Sequence, residues 1–200
     1  MKRPLIIIFI ILIIDQLVKF WIKTNMYLGE EIKVAGNWFI IHFTENNGMA
    51  FGMEFAGEYG KLFLTLFRIV AIGGIGWYLW DLTKKNAHPG YTAAIALIFA
   101  GATGNLIDSC FYGLLFNESF SEVATLFPAQ GGYAPLFYGR VVDMLYFPII
   151  EGHFPDWFPI WGGEEFMFFR PVFNIADSSI TIGVIMILLF QKKFFKEENS

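Results

Sequence analysis

Residues 173–193 read FNIADSSITIGVIMILLFQKK, an apolar run of helical length that opens on a carboxylate, Asp177, and closes on two lysines. An ionised carboxylate beside hydrocarbon is costly unless it is hydrated, paired or protonated, so one placed at the mouth of an apolar helix points to function. The same tension recurs in GRVVDML (139–145), where Asp143 lies in an apolar setting.

The rest of the chain decides whether such a run spans a membrane. Of 200 residues, 56% are hydrophobic and 16% charged, and the mean hydropathy is +0.52. These values lie well away from those of a soluble globular domain. Segments 5–24, 62–80, 91–107 and 172–190 are apolar enough, and close enough to the roughly 17–25 residues a helix needs, to cross a bilayer. The first begins like a secretory signal, MKRPLIIIFIILII, yet DQLVKFWIK follows where a small-residue cleavage site would stand, so it reads as a retained span. No repeat, low-complexity tract or linker divides the chain. The expected fold is therefore an all-α membrane protein with four transmembrane helices, one membrane domain over residues 1–200.

Basic residues gather in the short flanks of the spans, and the two long connections carry many acids and few bases. Lys2 and Arg3 precede the first, Lys84 and Lys85 join the second to the third, and Lys192, Lys193 and Lys196 follow the fourth. The excess of Lys and Arg predicts both termini to be cytoplasmic, and connections 25–61 and 108–171 to be extracytoplasmic. Trp21, Trp38, Trp77, Trp80, Trp157 and Trp161 suit interfacial positions. The lone Cys110 leaves no internal disulfide, and a net charge of −4 argues against a nucleic-acid partner. In the first connection NWFIIHF (37–43) is strand-like and ENNG follows it as a turn. AFGMEF (50–55) is the candidate return strand of a small extracytoplasmic β-sheet on the membrane surface. The second connection is a long loop rich in Gly, Pro and aromatics that resists regular assignment. Its composition suits the membrane interface and, on a functional reading, a lid.

Polar residues within the spans narrow the chemistry. Asp15 and Lys19 are four apart on one helical face and can pair; Arg68 needs a partner, water or a lipid headgroup. In GATGNLID (101–108), Gly101 and Gly104 allow a neighbouring helix to approach closely, and Asn105 and Asp108 follow at the helix end, where the bland expectation is hydration. With Asn174, Asp143 and Asp177, these groups converge on the outer face. Two carboxylates held close share a proton, so the ionised one can activate water while the protonated one polarises a carbonyl, without a metal or other cofactor. His42, His88 and His153 lack ligand spacing. A Ser/Lys nucleophile built from Ser178 or Ser179 with Lys19 remains open.

Taken in order, DQLVK, ENNGMAFG, GATGNLID, GRVVDML and FNIADSSI resemble the motif set of the bacterial lipoprotein signal peptidases, the signal peptidase II family. The resemblance spans all four helices and the first long connection. It implies that Asp143 and Asp177 are the catalytic pair and that Asp15, Lys19, Asn46, Gly48, Asn105, Asp108, Asn174 and Ala176 support them. It also implies a multi-pass protein of the bacterial inner membrane, expected to be monomeric, that meets membrane lipids. Its substrates would be prolipoproteins, cut just before a diacylglyceryl-modified cysteine. Family members commonly carry Arg after the Asp of GNLID, where this chain has Ser109, and Arg140 is the candidate to supply that cation. Segments 114–138 and 148–170 also look longer than usual. Two other readings compete: a small proton- or solute-conducting subunit, which would spread its acids through the membrane depth, and a non-catalytic lipoprotein-binding scaffold, which gives no reason for two convergent aspartates.

Overall fold

A computed structural model describes residues 2–47, 57–148, 150–153, 155, 157–159, 162–168 and 171–195. Four helices in it are long and apolar enough to cross a membrane. Helix α1 (Lys2–Asn25) is apolar almost throughout, with Pro4 in its first turn, where a missing N–H costs nothing. Thr24 Oγ1 and Asn25 Nδ2 donate to the Phe20 and Trp21 carbonyls and close its last turn. Helix α2 (Gly57–Lys84) ends with Asn86 at φ 53°, a left-handed conformation that Asn tolerates. The Ala87 and Asn86 N–H groups bond the Leu82 and Thr83 carbonyls there. Helix α3 (Pro89–Ile107) starts at once, with His88 as N-cap and proline in the first turn. It runs on through a π-helical turn, Asp108–Tyr112, and a short α4, Gly113–Leu115. Helix α5 (Ile175–Phe194) is the last.

Helix α3 lies against α1, α2 and α5, and its buried residues include Ala94, Ala96, Ala100, Gly101 and Gly104. Small residues matter here because helices in lipid associate through close packing rather than through expulsion of water. A Cβ at Gly101 would run into the Ala176 carbonyl oxygen, and one at Gly183 would lie 2.6 Å from the Ala94 carbonyl oxygen. Gly101→Ala is therefore expected to lower stability by about 1–3 kcal/mol, since backbone cannot yield as a side chain does. Gly73→Ala, at a position with nothing within 4 Å, should not. Thermal unfolding of the two variants in detergent checks this. Large apolar side chains such as Phe9, Phe63, Phe67, Val70, Leu188 and Leu189 are exposed on the bundle, as surfaces facing hydrocarbon are.

The expected strand exists as β2 (Phe39–Asn46). Candidate strand 50–55 lies outside the described residues. Strand β2 pairs with β1 (Glu31–Ala35) across a turn at Gly36 and with β3 (Val141–Tyr146) from the second connection. The second connection is thus not an unstructured loop. Besides β3 it contributes the hairpin β4 (Ile150–His153) and β5 (Glu165–Phe168), and the two-residue β6 (Val172–Phe173). One antiparallel sheet has the order β1-β2-β3-β6, and β4-β5 forms a second. Strand β3 escapes a search for alternation because its first four residues are all buried. The fourth span also begins later than expected: Val172 and Phe173 are strand, and extended Asn174 caps α5.

A core of Ile22, Met26, Phe43, Tyr112, Phe116, Val142 and Met144 fastens the sheet to the ends of α1 and α3. A second core, with Leu79, Tyr91, Ile95 and Phe194, closes the opposite end of the bundle. Lys2 and Arg3 line a cavity at that opposite end with Asn86 and Pro89. The sheet end is where the polar residues gather.

Candidate active site

Asn174 is the hub of that gathering. As N-cap of α5 it accepts from the Asp177 N–H at 2.9 Å through Oδ1, and its own N–H faces Asp177 Oδ2 at 3.4 Å. This reciprocal capping box orders the first turn of a helix whose third residue is the aspartate. The other end of the same carboxamide, Nδ2, donates to Asp143 Oδ1 at 2.7 Å. One fully buried asparagine therefore fixes both aspartates, one arriving on β3 and the other on α5.

Around this hub each charge has a partner. Asn105 donates from Nδ2 to Asp177 Oδ1 at 2.7 Å and accepts from Lys19 Nζ at 2.8 Å. Lys19 Nζ also meets Asp15 at 3.0 Å and Asp108 at 2.7 Å, all three side chains being almost wholly buried. The three donors of the ammonium are thereby used. Asp15 accepts from the Ala176 N–H at 2.9 Å and so grips the residue before Asp177. Asp108 accepts from the Val142 N–H at 3.3 Å and grips the residue before Asp143. Asp15 of α1, and Asp108 held by Lys19, thus position the segments that carry Asp177 and Asp143 through their backbones. The pairing of Asp15 with Lys19 agrees with expectation. The hydration of Asp108 at a helix end does not: it continues the face of Gly104 and Asn105, its N–H bonding their carbonyls, and is buried against Lys19 and Gln16.

Burial first, and the Asp177 carboxylate second, push the Asp143 carboxyl up to about 7. Asp143 therefore holds a proton well above the range of an ordinary carboxylate, next to a second carboxylate.

The other expected residues are placed as follows. Asn46 ends β2 opposite Val141, in the ladder that pairs Thr44 with Asp143, and Gly48 lies outside the described residues. The Arg140 guanidinium turns away from Ser109 toward Glu45 at 2.9 Å and Glu118 at 2.8 and 2.9 Å. Glu45 in turn holds the buried Lys23 at 2.6 Å. The cation that meets Ser109 is Arg68 of α2, whose Nη1 is 3.3 Å from Oγ. Ser178 and Ser179 donate their hydroxyls to the Asn174 and Leu97 carbonyls, and a fully engaged Lys19 leaves neither a base. Gln16, unremarked in sequence although it lies within DQLVK, donates to Asp108 at 2.9 Å and to Asp15 at 3.1 Å. Its neighbours in that motif were its only signal.

Fold and site together define a small multi-pass membrane protein that keeps a pair of carboxylates at one end of its helical bundle. The model of a known family, described as signal peptidase (SPase) II, matches residues 7–193. A lipoprotein signal peptidase of Porphyromonas gingivalis is 54% identical over 184 residues, covering 92% of this chain and 80% of that protein. One from Amoebophilus asiaticus is 41% identical over 180 residues, covering 88% and 72%. A bacterial membrane enzyme solved by the in meso method at 1.9 Å resolution superposes with a TM-score of 0.62 at 27% identity, covering 94% of this chain and 92% of that one. The chain belongs to the signal peptidase II family.

Proposed function

We propose that this protein removes the signal peptide from diacylglyceryl-modified prolipoproteins by aspartic proteolysis, with Asp143 and Asp177 as the catalytic pair. The observation that carries the reading is the single asparagine clamp on two carboxylates, one of them held protonated near neutrality.

In the resting pair one proton serves two carboxylates. The ionised member takes a proton from water as the water oxygen bonds to the scissile carbonyl carbon, and the protonated member gives its proton to the carbonyl oxygen. A neutral tetrahedral diol results. The member that gained the water proton then passes it to the amide nitrogen, the C–N bond breaks, and the other member recovers a proton from the diol. The products are a carboxylic acid and a free amine, and the pair again holds one proton. The expected setting is the outer face of the inner membrane, with both termini cytoplasmic. The acyl chains of the substrate cysteine stay in lipid there and fix the register of the scissile bond.

A purified sample should cleave a diacylated precursor peptide just before the modified cysteine, with or without chelator, and leave the unlipidated peptide essentially intact. Cleavage of neither peptide, or equal cleavage of both, would contradict the assignment. The pH profile of kcat/KM is expected to be bell-shaped. Because Asp143 holds its proton up to about 7, activity should fall as pH rises beyond that point and the pair loses its shared proton. On the acid side it should fall as both carboxylates become protonated. The two limbs belong to the coupled pair rather than to either residue.

A further inference from the structure

Helix α2 turns apolar side chains outward along most of its length, with Phe63, Leu66, Phe67 and Val70 all exposed. Lys61, Thr65 and Arg68 interrupt this pattern at spacings of four and three, on one helical face. Each reaches inward. Lys61 Nζ donates to the Asn47 carbonyl at 2.9 Å, the buried Thr65 hydroxyl to the Phe137 carbonyl at 3.0 Å, and Arg68 Nη1 to Ser109 Oγ at 3.3 Å. Ser109 passes the contact on, donating to the Asn105 carbonyl at 3.0 Å, and the Asn105 carboxamide holds Asp177 at 2.7 Å. The guanidinium is largely buried, and the acids whose charge it feels are Asp177, Asp108 and Asp143.

We propose that Arg68 is the positioning cation of the site, acting through Ser109 and through space to keep the Asp143–Asp177 pair in its singly protonated state. This rests on the reading of those two aspartates as the working pair. Among the described residues, the charged groups around them come from several elements: Asp15 and Lys19 on α1, Lys61 and Arg68 on α2, Asp108 after α3, Asp143 on β3 and Asp177 on α5. Lys19 sits directly between Asp15 and Asp108, whereas Arg68 approaches from α2 through Ser109 and Asn105, and Asp177 is the acid whose charge acts on it most.

Removing it takes a positive charge away from the acids, and each proton on the pair is then bound more tightly. Arg68→Gln should move both limbs of the kcat/KM bell to higher pH by about one unit, the low end of what an opposite charge nearby contributes. Arg68→Lys, which keeps the charge, should leave the bell where it was. Ser109→Arg added to Arg68→Gln should bring the bell back toward the wild-type position, since residue 109 starts within contact of the missing guanidinium. A merely structural arginine would lower the height of the bell without moving it. The measurement is kcat/KM for a diacylated precursor peptide across pH, with thermal unfolding to show that each variant is folded and with Asp143→Asn and Asp177→Asn run alongside.

A folded Arg68→Gln variant whose bell is lower but unmoved would overturn the role of Arg68 and leave the aspartate pair intact. Activity retained in either Asp→Asn variant would overturn the pair itself, and this role with it. If Arg68→Gln alone fails to fold, the double variant decides: a folded protein with its bell near the wild-type position supports the role, and a displaced bell or none overturns it.

Discussion

Asp143→Asn and Asp177→Asn should each lower kcat/KM by at least about a thousandfold, while the protein remains folded and inserted. Asparagine keeps the shape of aspartate but can neither take the proton of a water molecule nor return it to a leaving amine. The strongest side-chain contact at each position can survive the change: a carboxamide oxygen at 143 still accepts from Asn174 Nδ2, and one at 177 still accepts from Asn105 Nδ2. The two changes together should cost little more than either alone, because the aspartates work as one unit. Thermal unfolding close to that of the parent, alongside lost cleavage, separates chemistry from folding. Substantial activity in either variant would remove that residue from the chemistry.

Lys19→Met carries the largest expected effect on stability. Its ammonium is completely buried between Asp15 and Asp108, and both of these hold backbone N–H groups next to Asp177 and Asp143. Methionine fills the volume but leaves two buried carboxylates without their cation. Loss of one partner from such a pair costs about 3–5 kcal/mol. Adding Asp108→Asn should recover part of the loss, since an uncharged carboxamide needs no cation. A melting temperature unchanged by Lys19→Met would mean that the network does not hold the site together.

Much of this arrangement could be read from local spacing. The four spans follow from long, predominantly apolar runs, and the Asn174–Asp177 relation follows from two polar residues three apart at a helix start. Asp15 and Lys19, four apart within a helix, announce their own pairing. What escaped depends on distant pairing. The β3 strand has no alternation to reveal it, because its first four residues are all buried, and its partner β2 lies about a hundred residues earlier in the chain. The burial of Asp108 depends on α1, which brings Lys19 and Gln16 against it from about ninety residues away in the chain. The choice between Arg68 and Arg140 depends on which carboxylates each meets: Glu45 and Glu118 draw Arg140 away, and Glu118 stands in a connection whose course the sequence does not disclose. Helix α5 starts three residues later than its apolar run suggests, because Val172 and Phe173, although as apolar as the span that follows, are strand.

Direct attack by water on the scissile carbonyl, without a covalent enzyme intermediate, is the central claim, and a single turnover in oxygen-18 water with hydroxylamine present tests it. Mass spectrometry of the released signal peptide should show one labelled oxygen in its new carboxyl group, no hydroxamate, and no peptide attached to the protein. A hydroxamate product, or a peptide adduct on any side chain, would contradict catalysis by the Asp143–Asp177 pair.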